Sequence, residues 1–509
     1  MNVTSFTRRG FLTMSTMFAT MLAACGGQDA ATDTTTGGAG EDAEATAAAA
    51  ATGARETIAC DTDESHAIAV SGESASYAAV DVVKTGDADG DEADFYGTNA
   101  AVYAEEGATL DLTDVTVTTD GMHANAVFSY GEGTVITIAG SQIETSDNCS
   151  GGIMVTGGGT LEASNLSIHT QGNSSAAIRS DRGGGTQHVV GGTYVTDGTG
   201  SPVIYSTADV TVEDAVLTSN ASQGVVVEGK NSVRLVGCDL TADNNTKNSD
   251  KSDYYQAVMI YQSMSGDAAE GKATFTMESG SLANAQGDIL FVNNTVADIA
   301  LTGVEIENAD AQGCFLRAQA AGWGTEGANG GHVTLTATGQ EISGDIVLDE
   351  VSELNCYLQD GSALVGAVNA DGTGRAYVEL AGGSTWKLTA DSHVDALTCD
   401  ETAIDLAGFT LTVADAAYVE GTAVTGDPIE FTLPASSGAP GGQPPEGGQG
   451  GPGGEGGPGH GKGGEPPAKP DGSEPPAMGD GGEPPAKPEG EPPALPAGEE
   501  PQAMPGSAA

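Results

Sequence analysis

Ala101-Val102-Tyr103, Ala126-Val127-Phe128, Gly152-Ile153-Met154, Ala177-Ile178-Arg179, Val203-Ile204-Tyr205 and Val225-Val226-Val227 are six short apolar strings, each following small turn residues. Their central residues fall 25, 26, 25, 26 and 22 positions apart. A second signal runs inside the same units. Apolar pairs five residues apart occur at Leu112/Val117, Ile138/Ile143, Ala163/Ile168, Val190/Val195, Val212/Leu217, Leu235/Leu240, Met277/Leu282 and Leu301/Ile306. A Gly, Asn or Asp usually separates the two members. Thr and Val abound and helix-forming runs are absent, so each unit reads as two or three short strands joined by turns. One such unit cannot bury its apolar row alone; stacked units can. The expected fold is all-β, a right-handed parallel β-helix of roughly twelve coils, near 60 Å long at about 4.8 Å per coil. Stacking then puts Val102 under Val127 under Ile153. A β-sandwich array would need hairpin turns every 8–12 residues instead of a fixed unit length.

Working outward, the rhythm tightens after Ile346: Leu358/Leu364 is matched 22 residues later by Leu380/Trp386. Val394, Leu397, Ile404, Leu406, Phe409, Leu411 and Val413 read as final coils and a cap. Long turns at 244–254, 262–272 and 318–331 interrupt the repeat and should project from one edge, where function usually sits.

The ends differ in composition. Thr7-Arg8-Arg9-Gly10-Phe11-Leu12 opens an apolar stretch to Met21, a twin-arginine export pattern too short for a permanent span. Leu22-Ala23-Ala24-Cys25 resembles a bacterial lipobox, which makes residues 1–24 a signal peptide and Cys25 the lipidated first residue of the mature chain. Residues 25–56 then form a flexible tether, 57–434 the β-helix, and 435–509 a disordered Pro/Gly/Glu-rich tail with a repeated Glu-Pro-Pro-Ala unit. The chain should be exported and membrane-anchored at the outer face of the cell envelope.

The formal charge is −55, of which residues 57–434 carry −44. Nucleic acid is therefore excluded as a partner, since phosphate binding needs Lys and Arg. An anionic membrane would also repel this surface, so membrane attachment must come from the lipid. Cation binding is favoured. Six cysteines remain after Cys25: Cys60, Cys149, Cys238, Cys314, Cys356 and Cys399. None forms a CxxC pair, and export of an already folded chain points to isolated thiols.

Four strings resemble a family of bacterial exported, adhesin-like β-helix surface proteins. They are the segments 90–99 (Gly-Asp-Glu-Ala-Asp-Phe-Tyr-Gly-Thr-Asn), 178–186 (Ile-Arg-Ser-Asp-Arg-Gly-Gly-Gly-Thr), 227–232 (Val-Glu-Gly-Lys-Asn-Ser) and 259–267 (Met-Ile-Tyr-Gln-Ser-Met-Ser-Gly-Asp). The resemblance covers roughly residues 60–433 and implies a pectate-lyase-like β-helix at the cell surface. It implies no catalytic role for any residue.

Three groups of residues are candidates for chemistry. Arg179, Asp181 and Arg182 bracket a glycine-rich turn, and the chain beyond Cys25 has just six arginines. The pair can clamp a carboxylate or sulfate of a glycan, or it can be a salt-bridge cluster holding the turn. In lyases of this fold an arginine acts as base beside calcium-binding acids. Asp87, Asp89, Asp91 and Asp94 alternate along one loop with a glycine, a pattern that suits calcium or a solvated acidic loop. Tyr254, Tyr255, Tyr261 and Trp323 lie in or beside the insertions, where rings can stack on sugars or pack against the fold. Residues 57–434 lack the Asn-Thr-Asp, Asp-Asp and Gly-His-Gly set of polygalacturonate hydrolases. The leading expectation is a non-catalytic adhesin-like or carbohydrate-binding lipoprotein meeting glycans or surface proteins. A lyase or hydrolase of acidic glycans and a structural envelope spacer are the alternatives.

Overall fold

The computed structural model describes residues 55–90 and 92–431. The signal segment, Cys25, the tether up to residue 54, Asp91 and the tail from 435 lie outside the described residues. Among the described residues strands make up nearly all the regular structure, with one short helix, Glu92–Tyr96. Nearly every strand pairing is parallel, and the result is all-β with long parallel sheets, consistent with a β-solenoid.

Most repeats contribute one strand to an 11-stranded sheet and two to a 21-stranded sheet, the two being fused into one long strand at Gly159–Thr170 and Gly185–Thr196. Val102–Glu105, then Thr109–Thr113 and Thr116–Thr119, make one such set. The 11-stranded sheet carries a ladder in which Ile68, Val102, Val127, Ile153, Ile178, Ile204, Val225, Val258, Leu290, Leu316 and Ile346 are successive register partners. All eleven are buried. The stacking expected of Val102, Val127 and Ile153 is thus found. One strand is shifted from its expected position. Val225, not Val226, stands opposite Ile204, and Val226 belongs to the outer face.

The pairs five residues apart line the core beneath the 21-stranded sheet. Leu112 and Val117 pair with Ile138 and Ile143. The pair Val190/Val195 is corrected by one residue: Val189 and Tyr194 face inward, opposite Ala163 and Ile168. The Gly, Asn or Asp between members has a physical reason. Asp114, Gly140, Asn165, Gly191, Asp214 and Gly237 all take positive φ, between 50° and 67°. That left-handed conformation turns the chain between the two strands, and Gly, Asn and Asp adopt it at least cost.

At the C-terminal end Leu364 pairs with Trp386, and Trp386 with Ile404. Leu411–Val413 turns back antiparallel onto Ala416–Ala417. The chain then returns along the stack, and the side chain of buried Asn355 holds Ile429, donating Nδ2–H to its carbonyl and accepting its N–H at Oδ1, both at 2.9 Å.

Every insertion flanks the 11-stranded sheet: 85–101 and 243–255 precede its strands, and 262–271 and 319–330 follow them. They cover its outer face, where Tyr103, Phe128, Met154, Arg179, Tyr205, Val226, Met259, Phe291 and Arg317 form a second in-register row. Two apolar clusters sit there, separate from the main core. One holds Tyr103, Phe128 and Met154; the other holds Val226, Met259, Tyr261, Phe291 and Trp323. Arg179 lies in the row between them. Among the described residues no disulfide joins the six cysteines, and no helix is long and apolar enough to cross a membrane.

Candidate functional site

The residues of chemical interest gather over the first half of this outer face, and the repeat explains how. The corners that lead into four successive strands of the 11-stranded sheet each place a residue of positive φ at the same point: His123 (56°), Cys149 (57°), Ser174 (56°) and Gly200 (65°). Each stands four residues ahead of its ladder residue, Val127, Ile153, Ile178 or Ile204. Backbone bonds stack the corners, His123 N–H donating to Asn148 O (3.0 Å) and Cys149 N–H to Asn173 O (2.8 Å). Equivalent positions of neighbouring repeats are about 4.8 Å apart, so the His123 and Cys149 side chains stand next to each other.

Asp94 reaches this point from the short helix in the 85–101 insertion. Its Oδ1 accepts from Asn125 Nδ2 and Arg179 Nη1, both at 3.2 Å. Its Oδ2 lies 3.1 Å from His123 Nδ1 and 3.2 Å from Arg179 Nη2. Arg179 Nη2 also pairs with Asp181 Oδ2 at 3.3 Å. Asp94, His123, Arg179 and Asp181 are all less than a tenth exposed, and Cys149 is half-buried.

One buried guanidinium thus serves two carboxylates, and the electrostatics divide unequally. Burial pushes the Asp94 carboxyl up, but Arg179 and His123 outweigh it and hold the net shift below the usual range. Burial dominates at Asp181; Arg179 offsets only part of it, the Asp267 and Asp94 charges add to it, and the carboxyl is pushed up to about 7. Burial alone would lower the Arg179 pKa; Asp94 and Asp181 overcome it and raise it. A guanidinium so held is a poor base and a poor clamp, because its proton is tightly kept and both Nη atoms are engaged.

Arg182 points elsewhere. Its guanidinium lies over the Phe95 ring at 3.8 Å and pairs with Asp267 at 2.7 Å. Farther along the row, buried Glu228 accepts from Tyr205 Oη at 2.5 Å and Tyr261 Oη at 2.8 Å. Burial raises the Glu228 carboxyl, so the two phenols hold an acid inside the cover.

Two sequence expectations need correction. Tyr261 and Trp323 are not exposed platforms; they are 0 % and 3 % exposed and meet edge to face, because Tyr261 ends the strand Gln256–Tyr261 and the insertion that carries Trp323 closes over it. Tyr254 is exposed and lies under the Arg317 guanidinium at 3.9 Å, and Tyr255 is half-buried. Nor do the described acids of the 87–94 loop converge. Asp87 is exposed and caps Met122 N–H at 2.9 Å, Asp89 is exposed, and Asp94 turns inward to Arg179 and His123. The helix Glu92–Tyr96 puts Asp94 on the opposite side of the loop's fold from solvent. The sequence reading missed His123 and Cys149. Their spacing of 26, equal to the repeat, is the signal that marks them.

Compared with known proteins, the chain matches no family model, no curated protein and no solved structure.

Proposed function

We propose that this chain is an exported surface lipoprotein, held to the membrane through Cys25, whose stacked domain binds glycans or surface proteins without catalysis. In this reading the stack is a right-handed parallel β-helix of roughly twelve coils, the hand that parallel crossover connections take almost without exception. The resemblance to adhesin-like β-helix proteins and the twin-arginine and lipobox patterns support the placement. The observation that carries the non-catalytic reading is the state of Arg179, buried and shared by Asp94 and Asp181. A lyase of this fold would need such an arginine free to take a proton. What remains accessible is the outer face of the 21-stranded sheet, with in-register rows such as Asp111, Thr137, Glu162 and His188. Rows of hydroxyls and carboxylates at a fixed spacing suit a repeating partner.

A glycan-panel binding assay on the full chain tests this, run with calcium and again with a calcium-selective chelator. The expected result is saturable binding that survives the chelator, with no unsaturated uronate released from any bound polysaccharide. Release of such a product, lost in Arg179→Ala, would replace this reading with the lyase one.

A further inference from the structure

The three ligand-bearing atoms at the corner column, one each from Asp94, His123 and Cys149, lie within 4.8 Å of one another. We propose that Asp94, His123 and Cys149 hold one divalent transition-metal ion of the zinc class, a site independent of the glycan reading.

The donor set is the first argument. A carboxylate oxygen, an imidazole nitrogen and a thiol sulfur together select a borderline ion such as Zn²⁺ or Co²⁺ over Ca²⁺ or Mg²⁺, which prefer oxygen alone. Geometry is the second. Around a tetrahedral ion with bonds of about 2.0–2.3 Å, ligand atoms stand roughly 3–4 Å apart. The Asp94–His123 edge is already 3.1 Å. The triangular arrangement also decides against a Cys-His-Asp relay. A relay needs the thiol and the carboxylate on opposite sides of the ring, whereas here the three donor atoms all lie within 4.8 Å of one another. Placement is the third. His123 and Cys149 are fixed by the stacked backbone and Asp94 by a helix, so the site is built on ordered elements.

Arg179 is the obstacle, since its guanidinium occupies the same carboxylate. It has a second acceptor in reach, Asp181 at 3.3 Å. A metal ion can therefore take Asp94 while Arg179 keeps a counter-charge. Cys149 binds as thiolate, so loading releases one thiol proton to solvent for each ion bound. Charge then closes with Asp181 ionised: the ion is balanced by Asp94 and Cys149, and Arg179 by Asp181. Three protein ligands leave a fourth position for water.

The test is titration of the chelator-stripped full chain with Zn²⁺ and with Co²⁺, in the wild type and in His123→Ala and Cys149→Ser. The expected result is one tight equivalent, with a thiolate-to-cobalt charge-transfer band in the near ultraviolet. That band should vanish in Cys149→Ser, and affinity should fall about tenfold or more in both variants. Melting midpoints without metal show that the variants are folded. No thiolate band in the wild type, or a band and affinity unchanged in Cys149→Ser, overturns the site. Weak binding without the band, as the acidic surface would give, counts against it equally.

Discussion

Arg179→Met is expected to destabilise the fold by about 3–5 kcal/mol, the range for removing one partner of a buried ion pair. Methionine fills much of the same volume, so the loss is not a cavity effect. It arises because Asp94 and Asp181, each less than a tenth exposed, would lose their shared cation. Arg234→Met is the control. That arginine pairs with Glu278 at 3.0 Å, but both side chains are 42 % exposed, and solvent screening limits such a pair to about 1 kcal/mol or less. Denaturant unfolding of the two variants beside the wild type measures the difference. Equal, small losses would mean that Arg179 is solvated and available for chemistry.

The second large effect is on pH. Asp181 is pushed from 3.8 to about 7 by burial, against the pull of Arg179. Its folded-state pKa is above its unfolded value, so the folded state holds a proton that the unfolded chain gives up. The stabilising contribution is full below pH about 4 and is lost as pH rises through about 7. Each pH unit in that window is worth about 1.4 kcal/mol, so the total is about 4 kcal/mol. Asp181→Asn should remove this slope while leaving Arg179 paired with Asp94. Glu228, raised by burial, contributes a slope of the same sign that the variant retains. Asp94, shifted the other way, acts in acid, where protonating it costs stability. Melting midpoints of wild type and Asp181→Asn between pH 4 and 8 decide the matter. Parallel curves would mean that Asp181 is ionised throughout, with Arg179 neutralising it fully.

The stack was legible in the sequence because its physics is local and repeated. Val102, Val127 and Ile153 announce the ladder by spacing alone, and Asp114, Gly140 and Asn165 announce the turn between the inward pairs. The two register slips occur where the local signal is ambiguous. Val225-Val226-Val227 has no alternation to choose a face. Gly191-Gly192 lets the chain turn at either residue, and an inward Tyr194 breaks the aliphatic pattern. The site was less legible because it depends on contacts between distant parts of the chain. Asp94 meets Arg179 across 85 residues, through an insertion whose path no periodicity records. The same folding-over buries Tyr261 and Trp323, whose place in or beside the long turns suggested exposure. His123 and Cys149 are the instructive omission. They form no motif in sequence, yet the repeat length alone makes them neighbours.

Everything rests on the in-register parallel stack, and paired cysteines test it most directly. Thr118 and Glu144 are outward-facing register partners on adjacent strands, whereas Gln142 is partner to Thr116. In-register positions lie about 4.8 Å apart, within the roughly 4.4–6.8 Å that a disulfide spans between Cα atoms. Mild oxidation of the full chain, followed by peptide mapping, should link Thr118→Cys to Glu144→Cys and leave the Thr118→Cys and Gln142→Cys pair unlinked. Equal linking of both pairs, or linking of the second alone, would contradict the register and with it the placement of Asp94, His123, Cys149 and Arg179.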